Sequence, residues 1–417
     1  MRTAVLCAAL VFAPLSAGAQ TTLTLTESDA LARLSADSPR VRAIRTAVDI
    51  ARVDVLTAGR WPNPRLNWDR QSVAGVTEHL VTVAQPLPIT GRRGLDVQAA
   101  SARVTASSNR IDDESRRLRG DLRLAFADLV AAQTRERELT TARDRLRDLA
   151  DILAKREAAG DAAGYDRLRA EREVLDVDAD RVIAATERAR AQATLGTFFA
   201  DVTAPSLLVA VSGSPPPVPV PSFEALMEQA ETRRGELLAF RQDLEAARLS
   251  ERAANRSLVP EPEIFVGTKS STVGGGDIGS VLTLGGGDIG PVVGVHATIP
   301  LFDRARPERA LAAASATQAK ARADAFRLVL RGQIAALRGV VVARRDVATR
   351  YRAEAVNTAD QIERIAQVSY DAGERGILEL LDAYRIGFTA RVRQAALDAA
   401  VRQAEIELEF TSGWEIP

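Results

Sequence analysis

Apolar positions recur along this chain with two periods. Over most of its length the spacing is that of a helix, and in two short windows it falls to two, the spacing of a strand. Leu25 to Arg60 reads as helix with Thr26 as N-cap. Pro39 interrupts or restarts it, and Val41, Ile44, Val48, Val53 and Leu56 recur at helical spacing. Pro62 and Pro64 end it. Arg65 to Val73 and Glu78 to Pro86 then read as the two strands of a hairpin, closed by Pro86, Pro88 and Gly91. A long helix over 95–157 follows, without proline and with Gly120 as its one glycine. Leu118, Ala125, Ala132, Leu139, Leu146 and Leu153 fall seven apart in it, with Leu122, Leu129 and Ala150 in the companion register. Glu136 and Arg143 break that register. A turn at 159–166 leads to a return helix over 167–198.

The same plan occurs twice, which constrains the fold more than any single motif does. Six prolines in 205–221 mark an extended linker, and Ser222 caps a helix over 222–258 that Pro260 and Pro262 end. A second hairpin spans 263–299, with Ile264–Gly267 and Val292–Ile299 as strands and Pro300 closing it. The long helix 307–372 carries Leu330, Leu337, Tyr351 and Ile365 in one heptad position. Ile334, Val341, Ala348, Ala355 and Ile362 occupy its companion. A tip at 372–376 and a return helix over 377–411 complete the repeat, leaving a tail at 413–417. The mature chain is therefore read as two structural repeats, 20–204 and 222–412. In each, two shorter helices sum to about the length of the long one, so stacked end to end they could flank it in a rod of about 100 Å.

The strand windows point to a membrane. An isolated hairpin is marginal in water, whereas strands of about nine to eleven residues suit tilted barrel staves. Leu66 and Trp68 alternate with Arg65, Asn67 and Asp69, as a lipid face alternates with a wet lumen, although Arg70 falls on the Leu66 face. Val293, Val295, Ala297 and Ile299 alternate in the same way with Val292, Gly294, His296 and Thr298. Four strands cannot close a pore, and open edges in lipid are costly, so copies of the chain must complete the sheet.

The N-terminus supplies the compartment. Arg2, an apolar run from Ala4 to Leu15 and a small-residue end read as a signal peptide over 1–19, cut before Gln20. Cys7 lies inside it, so the chain from Gln20 onward has no cysteine. Lys and Arg together number 55, as do Asp and Glu, and this balance gives no electrostatic reason for nucleic-acid binding. Aromatics at 4% suit slender helices packed through small residues. The expected fold class is mostly α with a small β part. Long antiparallel coiled-coil helices would form a periplasmic α-barrel, with two hairpins contributing four strands.

Several phrases carry a family resemblance. PNP at Pro62–Pro64, QPLPITGRR at Gln85–Arg93, PLFDRAR at Pro300–Arg306 and the AG turns at both tips resemble those of the TolC-like outer-membrane efflux proteins. The PNP and QPLPITGRR phrases are most similar to the heavy-metal branch that serves resistance-nodulation-division pumps. The resemblance implies a homotrimer with a 12-stranded outer-membrane β-barrel, working with a periplasmic adaptor and an inner-membrane pump of that class. It implies a passive exit channel in the outer membrane, extending into the periplasm, with divalent heavy-metal cations as cargo. Drug or organic-solute efflux and type I secretion are alternatives within transport. A coiled-coil envelope protein without a pore is the alternative outside it.

The resemblance also assigns roles to residues. Gly160, Gly164, Gly373 and Gly376 would let helices reverse at tips that meet the adaptor. Asp382, Glu379, Asp161 and Asp166 fall where family members have an acidic periplasmic constriction, and a ring of such charges would attract cations. Pro62, Pro64, Pro86 and Pro300 mark strand-helix junctions. Leu378, Leu381, Tyr370 and Leu168 read as tip packing. No catalytic constellation is visible, and no enzyme activity or cofactor is expected. His79 and His296 read as ordinary loop or lumen residues, since the sequence shows no convergent ligands beside them. The tandem GGGDIG at 274–279 and 285–290 reads as an external loop.

Overall fold

The computed structural model describes residues 22–34, 38–160, 163–202, 204–213, 218–273, 288–299 and 301–414. The expected signal peptide, Asp161, Pro300 and most of the GGGDIG tandem lie outside these residues. The last three residues of its second copy, 288–290, open a strand.

Two compact units emerge, and each draws on both sequence repeats. One comprises Met1–Ser35, Leu122–Pro216 and Val347–Arg402; the other comprises Ala36–Asp121, Pro217–Asp346 and Gln403–Pro417.

In the first unit, β1 (Leu23–Leu25) pairs in parallel with β4 (Leu208–Ala210). These strands are absent from the sequence reading, because three residues are too few to show a period. Side-chain amides hold β4 in place. Gln133 bonds both the N–H and the C=O of Ala210 at 2.9 Å, and Gln192 Nε2 donates to Leu208 O at 2.7 Å. Thr26 caps α1 (Glu27–Arg33) through a reciprocal capping box with Asp29. The Glu27 carboxylate accepts from both Arg123 and Arg402. Burial opposes its ionisation, but the two guanidiniums outweigh that and hold its pKa below the usual glutamate value. The core of this unit joins four helices. Leu139, Leu146, Leu149 and Leu153 lie on α3 (Arg92–Ala158), and Ala170, Val177 and Ala184 on α4 (Gly164–Gly196). Ala366 comes from α8 (Asn357–Asp371), and Ile377, Leu380 and Leu381 from α9 (Ile377–Ser412).

In the second unit, Pro39 stands at the first turn of α2 (Pro39–Gly59), where a missing N–H costs nothing. Its apolar residues divide between two faces. Val41 is buried and Ile44 and Val48 are half-buried, but Val53 and Leu56 join Ile50 on the exposed side. The expected helix over 222–258 is two helices, α5 (Phe223–Arg233) and α6 (Gly235–Arg256), broken at Arg234. The cause lies on α3. Asp113 Oδ1 accepts from the Gly235 amide at 3.1 Å, so a distant carboxylate caps α6. A Cβ at Gly235 would lie 2.3 Å from Asn109 O. Arg234 fills the break, its guanidinium 3.9 Å above the Phe410 ring and its Nη2 3.4 Å from Asp113. Leu226, Ala230 and Leu237 pack with Leu330, Ile334 and Val341 of α7 (Arg306–Tyr351) and with Leu408 and Trp414.

The largest correction concerns the second long helix. It is not continuous to 372: a π-helical turn at Arg352–Val356 separates α7 from α8. A π-turn holds one residue more than an α-turn, so the heptad slips by one beyond it. Leu330, Ile334, Val341 and Ala348 are buried as expected. Beyond the turn the buried residues are Ala359 and Ala366, and the expected Ile362 and Ile365 face outward. On α3 the heptad holds throughout. Leu118, Ala125, Leu139, Leu146 and Leu153 are buried and Ala132 is half-buried.

Candidate functional site

The sheet has the order β2-β3-β5-β6. Its strands are β2 (Arg65–Val73), β3 (Val76–Pro86), β5 (Glu263–Val273) and β6 (Asp288–His296). Ala74 and Gly75 join β2 to β3 with φ of 49° and 78°, the positive pair that a two-residue type I′ turn requires. β3 therefore starts at Val76, two residues before the expected position. β5 does not stop at Gly267. Thr268 to Val273 continue it because each pairs with a residue of β3. β6 lies earlier than the expected Val292–Ile299 and ends at His296, which pairs with Glu263, the first residue of β5.

Opposed residues share a face, and the register sorts the sheet into two chemistries. One face carries Leu66, Trp68, Val81, Val83, Ile264, Val266, Val293 and Val295, all exposed. Arg70, the exception in the sequence pattern, sits opposite His79, which in turn faces Ser270, beyond the end of this apolar band. The Trp68 and His79 rings stack nearly parallel, with centroids 6.4 Å apart. The other face carries Arg65, Asn67, Asp69, Gln71, Glu78, Glu263, Lys269 and His296, interspersed with Leu80, Ala84, Phe265 and Val292. Arg65 donates to Glu263, whose other oxygen lies 4.0 Å from His296 Nδ1, and Lys269 pairs with Glu78 at 2.9 Å. Close packing holds this face together. A Cβ at Gly267 would lie 2.0 Å from Val81 O, and the Phe265 ring covers Gly294. β2 and β6 are the two edges of the sheet.

The junctions are tied by polar contacts. Gln85 Nε2 donates to the carbonyls of Pro62 and Pro86, each at 3.0 Å. Pro64 immediately precedes β2, and Pro86 is the last residue of β3. Arg93 Nε donates to Gly59 O at 2.9 Å while its guanidinium lies 5.2 Å from the centroid of Trp61. Ile89, Ile299, Leu301 and Phe302 are exposed around these connections.

At the helix tips the four glycines divide into two roles. Gly160 and Gly373 have φ of +83° and +74°, the left-handed conformation that ends a helix. At the second tip the Glu374 amide reaches back to Ser369 O at 2.9 Å and the Gly373 amide to Tyr370 O at 3.0 Å, a Schellman closure. Gly164 and Gly376 do not adopt positive φ, contrary to expectation: Gly164 is the first residue of α4 and Gly376 immediately precedes α9. Leu381 is buried and Tyr370 half-buried, but Leu378 and Leu168 are exposed and do not pack the tips. Glu379 and Asp382 are exposed one turn apart on α9, while Asp166 is half-buried in the first turn of α4.

Behind the tips runs a charge network that the sequence reading missed. Glu363 accepts from Arg145 and from Arg391, the latter at 3.1 Å. Arg391 also bonds Asp360 at 2.8 Å and lies 3.4 Å from Glu138. Glu363 approaches closely because Gly387 faces it; a Cβ there would lie 2.4 Å from Glu363 Oε2. Tyr384 donates to Gln367, which in turn bonds Asp371 at 3.0 Å, and burial pushes the Tyr384 hydroxyl pKa up. Gly387 inside a helix was the one visible signal. Among the described residues no cluster of three or more His, Cys, Asp or Glu could hold a metal ion, and no helix is long and apolar enough to cross a membrane.

Residues 226–413 match the model of the outer membrane efflux protein family. Three solved structures are similar to almost the whole chain. A membrane protein from Pseudomonas aeruginosa is 19% identical with a TM-score of 0.76, covering 93% of each chain. CusC, described in terms of transmembrane channel formation, is 16% identical with a TM-score of 0.76, covering 93% of this chain and 92% of its own. The outer membrane protein VceC from Vibrio cholerae is 16% identical with a TM-score of 0.73, covering 93% and 96%. No curated protein matches. The fold is thus the one these three structures share, mostly helical with a small sheet, as the sequence reading expected.

Proposed function

We propose that this chain is one subunit of an outer-membrane exit duct of a tripartite efflux pump. The observation that carries the reading is the sheet: one face with an exposed apolar band, the other mixing apolar residues with most of the charged ones, and both edges open. In lipid an open edge leaves backbone groups unpaired, so three copies would pool twelve strands into a closed barrel. Similarity to CusC and VceC supports the same architecture. Conduction would be passive, with the energy supplied by an inner-membrane pump and the connection made by a periplasmic adaptor at the tips around Gly160, Gly164, Gly373 and Gly376. Glu379 and Asp382, exposed on α9, would favour cations at the inner end, together with Asp166 and Asp161 of the first tip segment. Divalent metal cations are the proposed cargo, supported by the PNP and QPLPITGRR phrases.

Reconstitution into planar bilayers tests the duct. The expected result is stepwise conductance, with cation preference reduced at least twofold in the double variant Glu379→Ala and Asp382→Ala. Conductance with unchanged preference removes these residues from the gate, and no conductance removes the duct. For the cargo, a deletion strain complemented by the full chain should regain tolerance to a divalent metal; unchanged tolerance to every such metal overturns that part alone.

A further inference from the structure

The π-turn at Arg352–Val356 does more than interrupt a helix. Carried forward in sevens from Ile334 and Leu330, the core stripe would reach Ile362 and Ile365. Those residues are instead 39% and 62% exposed, and Ala359 and Ala366 are buried at 2% and 7%. One extra residue in the turn rotates everything after it by about 100°, one residue's worth of α-helix. The rotation has two effects. Alanines enter the chain's own core, with Glu363 and Tyr370 beside them to bond Arg145, Arg391 and Arg156. Ile362, Ile365 and Val368 are turned outward together.

α4 carries a matching face. Ala170, Val177 and Ala184, seven apart, are buried in the chain's own core. Leu168, Leu175 and Val182, also seven apart, are 58%, 67% and 50% exposed. This helix therefore has two coiled-coil seams, and only the small-residue one is occupied. Among the described residues no hydrogen bond or ion pair joins α4 to α8, although both pack on α3.

We infer that the π-turn hands the apolar face of α8 to α4 of a second copy of this chain, with Ile362 and Ile365 packing against Leu168 and Leu175. The inference rests on the proposed oligomeric duct. The occupant is a second copy because the α8 face lies level with the Leu168–Leu175 part of the α4 face. α4 leaves its tip as α8 approaches its own, so copies related by rotation bring them together antiparallel. Leu168 lies four residues from the start of α4 at Gly164, and Val368 four residues before Ala372. Leu175 lies eleven from the same start and Ile362 ten before the same end, so equal helical rise places them side by side. Lipid is a poor occupant, since Arg169, Arg172, Asp176 and Asp180 stand exposed on α4.

The chain from Gln20 onward has no cysteine, so engineered pairs report cleanly. The double variant Leu175→Cys with Ile362→Cys, oxidised mildly in detergent, should form a covalent ladder ending at three copies, while each single variant stays monomeric on a non-reducing gel. Deleting Ala355 in the same background shortens the π-turn and should cut the ladder at least tenfold. Ile365→Asp without any cysteine should lower the trimer fraction at least tenfold while far-UV helicity stays unchanged, which separates loss of the seam from loss of fold. A trimeric mass without the 175–362 ladder overturns the seam and leaves the duct standing; a monomeric mass overturns both. An undiminished ladder after the Ala355 deletion overturns the role of the turn, and dimers from Leu175→Cys alone would show α4 meeting α4 instead.

Discussion

The two long helices hold equivalent places in the two repeats and differ by one residue of backbone. α3 runs unbroken for 67 residues, and its heptad stays on the buried face from Leu118 to Leu153. Its counterpart is divided into α7 and α8, and beyond the π-turn the same rule misplaces every core residue by one. A heptad identifies which residues are apolar. The face they take depends on every intervening residue being α-helical, and a single wider turn exchanges a core face for an outer one.

The largest expected effect breaks the comparison on the α3 side. Leu146 is nearly inaccessible in the four-helix core, so Leu146→Ala should cost about 2–5 kcal/mol in urea unfolding through lost burial and a cavity. Ile365→Ala, which the heptad alone would rank with it, should cost the monomer about 0.5 kcal/mol or less. Equal losses would mean that the π-turn does not move Ile365 off the core. The tips sharpen the comparison at smaller scale. Gly373→Ala forces a left-handed backbone on a side chain and should cost about 1 kcal/mol, as should Gly160→Ala. Gly376→Ala, without positive φ, should change thermal stability by a few tenths of that or improve it. The smallest effect is a pH dependence linking the helices of the two repeats through Glu27. Its folded pKa is depressed, so its contribution is full above the unfolded glutamate value and fades as pH falls through the folded one. The stability gap between the native chain and Glu27→Gln should therefore be present at pH 7 and close in acid. A gap that widens on acidification would reverse the assignment.

What the sequence made legible follows from the reach of each signal. Helices and hairpins were visible because their periods run over many residues, and Thr26, Ser222 and the Pro62–Pro64 stop are local in effect. The face assignment of Leu66 and Trp68 was visible for the same reason. The break at Arg234 was not, because its cap comes from Asp113 on another helix. β1 and β4 were too short to show a period, and β5 was misjudged at Gly267 because its continuation depends on pairing with β3. The π-turn left no mark in composition. In the candidate site, Gly160 and Gly373 take the left-handed backbone of a reversal and Gly164 and Gly376 do not, a difference that residue identity alone does not show. The Glu363 and Arg391 network joins residues up to 218 apart in sequence and shows only once the helices are packed.

Native mass spectrometry of the chain from Gln20 onward, extracted in detergent, addresses most directly whether open edges are closed by further copies. The account predicts a single species of three copies. A chain that stays monomeric in detergent and in water, with β2 and β6 still unpaired, would contradict it.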